Sequence, residues 1–132
     1  MDYQLSNLTN AAFDLHYFLH TSPSPELINK YQTLIEEYHK TLGETFTLLG
    51  HEHLHPTMEQ LNKELDKKGL FALVAACCVL PIVLVDQNEV PDMDKVLKKE
   101  ESIQFSKLYR ETLLKLLPVF EERGWLEVNK FM

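Results

Sequence analysis

The stretch that organises the chain is residues 2–22, DYQLSNLTNAAFDLHYFLHTS. It begins with an acid beside an aromatic residue and a glutamine, and a short polar turn follows. Residues 11–20 are mostly apolar and predict a helix, with the acid Asp14 near its N-terminal end. Two interpretations of Asp14 stay open. As a first-turn charge it complements the helix dipole, whereas as a buried acid it needs a hydrogen-bonded partner and anchors a neighbouring loop.

The same stretch resembles the segment D-[FY]-Q-x-S, followed by A-x-D-L-x-Y-F-L, of the ecdysteroid kinase-like family. That family is a branch of the choline kinase and aminoglycoside phosphotransferase superfamily. The matching positions besides the two acids are Gln4, Ser6, Ala12, Leu15, Tyr17, Phe18 and Leu19. In the family the first acid binds the magnesium of ATP, and the second lies on a helix and braces the catalytic loop. The resemblance implies that Asp2 is a magnesium ligand and Asp14 a structural brace, and it implies no catalytic or nucleotide-binding residue.

The resemblance also implies that the chain corresponds to the C-terminal part of a kinase C-lobe. Family members are roughly three times this length, and Met1 stands directly before Asp2. We therefore expect the nucleotide-binding lobe and the H-G-D catalytic loop to be absent. A Gly-rich phosphate loop is absent too. The only glycines are Gly43, Gly50, Gly69 and Gly124. The ending LLPVFEERGWL also looks like the close of the family's C-lobe, so we expect the resemblance to reach nearly the whole chain.

The composition is typical of an ordinary globular protein. Apolar residues make up 45% and charged residues 25% of the 132 residues, which predicts one domain, residues 1–132, with a core of its own. The net charge of -7 argues against a nucleic-acid partner. The acidic start argues against a signal peptide. Cys77 and Cys78 lie side by side in an apolar run and are predicted to be reduced core thiols, which indicates a cytoplasmic protein.

The second helix has a clear start and end. Ser24 is a good N-cap, the apolar residues that follow recur every three or four positions, and Gly50 ends the pattern after about residue 49. Two tyrosines on this helix, Tyr31 and Tyr38, are open to two interpretations. They form a ligand-stacking pair or they pack in the core, and packing is the preferred interpretation.

The middle of the chain holds its longest uncharged run, Leu70–Val85. At 16 residues the run is shorter than the roughly 20 apolar residues that span a bilayer. We predict that it is the buried central helix of a bundle, and that Pro81 kinks or ends it. No membrane span is expected. The fold predicted is all-α, a compact multi-helix bundle corresponding to the helical C-lobe of a protein-kinase-like fold.

Capping residues mark two further helices. Thr57 and Gln60 form a capping box at the start of a short helix. Ser102 is predicted to cap the last long helix, which closes at Gly124 with Trp125 folded back on its end. The residues predicted to face inward from this helix are Phe105, Tyr109, Leu113, Leu116, Leu117 and Phe120.

Two groups of histidines invite a metal-site interpretation. His16 and His20 are four residues apart and share a helix face, but no third ligand is at hand, and surface or packing roles are preferred. His51, His53 and His55 alternate, so on an extended segment they would face one side and could chelate zinc. A polar connector is the preferred interpretation there, and metal binding by these three residues stays open.

Two functional hypotheses follow. The resemblance implies a fragment of an ATP-dependent kinase that phosphorylates a small lipophilic alcohol such as an ecdysteroid. The complete enzyme would use Mg²⁺ and ATP, whereas this chain alone is expected to be inactive and to hold no cofactor. The alternative is a non-enzymatic helical module that binds an apolar ligand or a partner protein. An apolar face exposed by truncation would in addition favour self-association.

Overall fold

The computed structural model describes residues 9–22, 24–85, 93–98 and 105–127. Every regular element in these ranges is helical and none is a strand, which confirms the predicted all-α class. The α-helices are α1 (Ala11–Thr21), α2 (Tyr31–Leu48), α3 (Met58–Lys67), α4 (Gly69–Cys78), α5 (Leu80–Val83), α6 (Met93–Leu97) and α7 (Lys107–Glu122). Residues 2–5, the only part of the sequence with a claim to strand, lie outside the described residues.

Helix α1 packs against α4 at the centre of the described fold. The contact is close because buried alanines lie on both sides, Ala12 on α1 and Ala72 and Ala76 on α4. The start of α1 is capped by Asn10, whose side chain accepts a hydrogen bond from the Ala12 amide at 2.9 Å. Asn10 Nδ2 also donates to Glu64 Oε2 at 2.8 Å. The same residue therefore caps α1 and ties it to α3.

The predicted second helix is present but begins differently. Ser24 is the N-cap, as predicted, and accepts from the Glu26 amide at 3.4 Å. The turn that follows, Pro25–Lys30, is a 3-10 helix, and α2 begins only at Tyr31. Short 3-10 turns are frequent where α-helices begin. Gly50 ends the helix in a left-handed conformation with φ of 71°, which glycine adopts without steric cost.

The capping box at the start of α3 is confirmed. The Gln60 amide donates to Thr57 Oγ1 at 3.2 Å, and the Thr57 amide donates to Gln60 Oε1 at 2.8 Å. Two orphan backbone donors are thereby satisfied. Leu61 and Leu65 on the inner face of α3 are buried in the core.

The run Leu70–Val85 is not a single buried helix. It is divided at Val79 into α4 and the short α5, with Pro81 in the first turn of α5. The predicted effect of Pro81 is confirmed, because proline is tolerated in a first turn and not in a helix interior. The prediction of complete burial is wrong. Ile82 and Val83 are 64% and 54% exposed, so the run covers the core with one face only.

The two cysteines are also placed differently from the prediction. Cys77 and Cys78 are exposed rather than buried as core thiols. The small alanines of α4 take the buried positions, and the cysteines lie outside that stripe at the end of the helix. Partial burial, together with the neighbouring Cys78 thiol, raises the pKa of Cys77. A thiol with a raised pKa is a poorer nucleophile near neutral pH.

The last long helix is capped by Ser106 and not by Ser102, which lies outside the described residues. Ser106 Oγ accepts from the Tyr109 amide at 3.1 Å. The predicted inward residues Tyr109, Leu116 and Phe120 are buried, whereas Phe105 precedes the helix and is 48% exposed. Leu113 and Leu117 pack partly buried against the core.

The predicted end of α7 is confirmed. Gly124 has a φ of 68°, and the Trp125 amide donates to the Phe120 carbonyl at 2.8 Å, which is the closing hydrogen bond of a Schellman cap. Trp125 folds back and is only 3% exposed. None of the helices in the described ranges has the length and apolar character to cross a bilayer.

Gly69 allows α4 to approach Trp125 so closely that a larger residue at position 69 is expected to destabilise the fold. A Cβ atom at position 69 would overlap Cγ, Cδ1 and Cδ2 of the indole ring. In a helix without such a contact, alanine is more favourable than glycine. Here we expect Gly69→Ala to lower the free energy of unfolding by about 2 kcal/mol through overpacking, measured by urea denaturation.

Gly43→Ala in α2 is the matched control. Its Cβ would meet the edge of the His55 imidazole, with Cε1 at 2.8 Å, and that ring is the end of a half-buried side chain. A smaller loss, or a gain from helix propensity, is expected there. A Gly69→Ala variant as stable as the wild type would contradict the close packing of the Trp125 ring on α4.

Candidate functional site

The two acids of the first stretch differ in what the structure shows of them. Asp2 lies outside the described residues, so its role as a magnesium ligand stays a prediction. Asp14 lies in the first turn of α1 and its side chain is exposed. This position agrees with the helix-dipole interpretation and not with a buried acid. The bracing of a catalytic loop by Asp14 stays a prediction implied by the resemblance.

The alternating histidines do not lie on an extended strand. Residues Glu52–Leu54 form a 3-10 turn, His51 and His53 are exposed, and only His55 packs inward. The His55 and His39 rings lie 4.2 Å apart between centroids. His55 Nε2–H donates to the His39 carbonyl at 3.1 Å. Within the described ranges, no three histidine, cysteine or acidic side chains are grouped to hold a metal ion.

The structure instead places His16 and His20 in a cavity. The cavity measures about 480 Å³ and lies among α1, the turn Pro25–Lys30, α2 and the end of α7. Its inner wall is apolar and aromatic, and its rim carries polar side chains. Its lining includes Leu19, Tyr31, Ile35, Glu122, Arg123 and Trp125.

Both histidines are buried, at 1% exposure for His16 and 2% for His20. Each ring uses one nitrogen on a backbone carbonyl. His16 Nε2–H donates to Leu65 at 2.8 Å, and His20 Nδ1–H donates to the carbonyl of His16 at 2.8 Å. A carbonyl only accepts, so these contacts set the proton position on each neutral ring.

The other nitrogen of each ring is then an acceptor. His16 Nδ1 and His20 Nε2 are buried, and neither has a hydrogen-bond partner among the described residues. Buried polar atoms are paired in the great majority of cases. Two unpaired acceptors in neighbouring buried rings are therefore unusual.

Burial keeps both rings neutral. It lowers the pKa of His16, and the hydrogen bond to the Leu65 carbonyl only partly opposes this effect. Burial lowers the pKa of His20 from its ordinary 6.5 to about 4, against the opposing effect of its bond to the His16 carbonyl. The positive charge of Arg123 lowers both pKa values further. At neutral pH neither ring therefore carries an imidazolium charge.

Trp125 closes the cavity from the α7 side. Its ring meets His16 edge to face, with centroids 4.8 Å apart. Trp125 Nε1–H donates to Asp66 Oδ1 at 3.2 Å, and the Arg123 guanidinium lies 5.3 Å from the indole centroid. The indole is thus held by a hydrogen bond and a cation–π contact, and it forms a rigid wall.

Comparison with known proteins connects one part of the chain to a family. The profile of the ecdysteroid kinase-like family matches residues 1–51, a region that contains α1, the turn Pro25–Lys30 and α2. The predicted resemblance is confirmed for this N-terminal region. The predicted extension is not supported, because the match does not reach the ending LLPVFEERGWL. No curated protein and no solved structure matches the chain.

Proposed function

We propose that the chain is part of an ATP-dependent phosphotransferase that acts on the hydroxyl of a small lipophilic alcohol, such as an ecdysteroid, in the cytoplasm. The observation that carries the proposal is the family match over residues 1–51. That range includes both acids of the matching segment, Asp2 and Asp14. Asp2 is then the ligand of the magnesium that accompanies ATP, and Asp14 is the brace.

The 132 residues alone are proposed to be catalytically inactive. Phosphoryl transfer depends on positioning and on charge stabilisation by several groups acting together. The sequence contains no H-G-D segment, so the family's catalytic base has no counterpart in it. A single carboxylate for magnesium orients the phosphates only weakly without the other groups.

The test is a titration of Mg-ATP into the purified chain and its variants. We expect weak saturable binding that is lost in Asp2→Ala and retained in Asp94→Ala, an exposed acid on α6. Release of phosphate should stay at the level of buffer. Equal binding by wild type and Asp2→Ala would refute the role of Asp2, and magnesium-dependent ATP turnover by the wild type would refute the proposed inactivity.

The cavity favours a second candidate function. A helical module without enzymatic activity could hold an apolar ligand between α1, α2 and α7. Ligand cavities in proteins commonly measure about 300–1,000 Å³ and combine apolar walls with a few placed polar groups. The cavity of about 480 Å³ has this character, and none of its described lining residues is an acid of the family segment.

A further inference from the structure

We propose that two copies of the chain pair through a zinc ion, which His51 and His53 of each copy bind together. Both histidines belong to residues 47–54, which we call the tip. The inference goes beyond the proposed function and does not depend on Mg-ATP or on Asp2.

The tip is the outer end of α2 together with the turn that follows it. Every residue from 47 to 54 is exposed. Helix α2 packs mainly on the turns Pro25–Lys30 and Glu52–Leu54, so its C-terminal end is not covered by the helices of the core. Leu48 and Leu54 are 87% and 58% exposed. The tip is therefore accessible to a second molecule, and it carries apolar surface that docking would remove from water.

The structure selects two of the three alternating histidines as metal ligands. His55 is half-buried, its Nε2–H donates to the His39 carbonyl at 3.1 Å, and its ring lies on the His39 ring. The rings of His51 and His53 are exposed and lie 6.0 Å apart between centroids. The structure gives neither of these two rings a hydrogen bond to another described residue. Their nitrogens are therefore available to an ion.

The distance between the two rings is close to the distance that a shared ion requires. With Zn–N bonds of about 2.0–2.1 Å, two imidazoles on one tetrahedral zinc ion have centroids roughly 5 Å apart. Exposed side chains change rotamer within nanoseconds, so a shift of about 1 Å is within their ordinary motion. His51 and His53 therefore form a two-nitrogen site without a change in the backbone.

One copy supplies only half of a structural zinc site. Structural sites hold zinc with four protein ligands, whereas the described residues of one chain contain no group of three candidate ligands. A second copy adds the same two imidazoles. Two tips together complete a tetrahedral set of nitrogens, and the pairing of identical surfaces about a two-fold axis is the commonest form of homo-oligomer.

The charge of the surrounding sequence favours a cation between the two tips. Residues 41–62 contain Glu44, Glu52 and Glu59 and no lysine or arginine. Glu52 stands between the two histidines in the chain and is exposed. Two tips brought together without a metal would place like charges near each other, and these repel. A divalent ion offsets this repulsion, so we expect pairing only when the metal is present.

The test is sedimentation velocity of the full chain at pH 7.5 in a reducing buffer, with EDTA or with one zinc ion per two chains. We expect a monomer in EDTA and a dimer with zinc, and calorimetry should give one zinc ion per two chains. Magnesium should leave the chain monomeric, because Mg²⁺ prefers oxygen ligands. This control keeps the result separate from the Mg-ATP titration.

Two variants each remove one ligand from each copy, His51→Gln and His53→Gln. Each should lower the affinity for zinc at least about tenfold and leave the chain monomeric at the same zinc concentration. The matched control is the double variant Cys77→Ser/Cys78→Ser, because exposed thiols also bind zinc. It should dimerise as the wild type does. Circular dichroism checks the fold of each variant.

The outcomes decide the inference in either direction. A wild-type chain that stays monomeric with zinc, or that binds one zinc ion per chain without pairing, overturns it. A dimer that persists in EDTA, survives in both histidine variants or is lost in the cysteine variant overturns it as well. If a variant fails to fold, the zinc dependence and the stoichiometry of the wild type still give the answer.

Discussion

Trp125→Ala is expected to lower the free energy of unfolding by about 4 kcal/mol, the cost typical of truncating a buried tryptophan. The ring is 3% exposed and packs on His16, His20 and Phe120. Its loss would leave a void at the junction of α1, α4 and α7. It would also remove the donor that Asp66 accepts at 3.2 Å.

Two variants separate packing from other effects. Trp125→Phe keeps an aromatic body and loses the Nε1–H donor, so a smaller loss is expected. Leu126→Ala changes the next residue, which is 38% exposed, and should stay within about 0.5 kcal/mol of the wild type. Urea denaturation measures all three. A loss below about 1 kcal/mol for Trp125→Ala would show that the indole is not part of the core.

Acidification is expected to cost about 3 kcal/mol of stability through His20 alone by pH 4. The unfolded chain takes up this proton near pH 6.5, whereas burial lowers the pKa in the folded chain to about 4. Between these values the unfolded state binds more protons, so stability is fully present above pH 6.5 and falls as the pH drops to about 4. Each pKa unit corresponds to about 1.36 kcal/mol. The lowered pKa of His16 acts in the same direction.

Carboxylates ordinarily titrate near pH 4 as well, so the effect of His20 is measured as a difference between two proteins. The free energy of unfolding of wild type and His20→Asn is measured from pH 7.5 to 4, and the gap between them should narrow by about 3 kcal/mol as the pH falls. His51→Gln, changed at an exposed position, should keep a constant gap. Parallel curves for wild type and His20→Asn would contradict the buried, neutral state of His20.

Much of the fold was predictable because helix ends are local chemistry. The capping box of Thr57 and Gln60, the left-handed Gly50 and Gly124, and the break near Pro81 depend on residues a few positions apart. The predicted cap at Ser102 is wrong, because the helical residues begin at Lys107 and the side chain of Ser106 accepts from the Tyr109 amide.

The candidate site was less predictable. The spacing of His16 and His20 placed them on one helix face, but their burial comes from partners far along the chain. Leu65, which accepts from His16, is 49 residues away. The exposure of Cys77 and Cys78 was also not predicted from the sequence, because an apolar run does not show which of its faces another helix covers.

The sequence by itself determined the all-α class, most helix boundaries and the likeness of the N-terminal region to ecdysteroid kinase-like proteins. These properties depend on backbone preferences, caps and short segments, all of which act over a few residues. Only the tertiary structure decided that these two histidines are buried, that one nitrogen of each ring has no hydrogen-bond partner among the described residues, and that Trp125 packs on both rings. Solvent exclusion and hydrogen-bond pairing there depend on which distant helices meet, and a linear pattern does not contain that information.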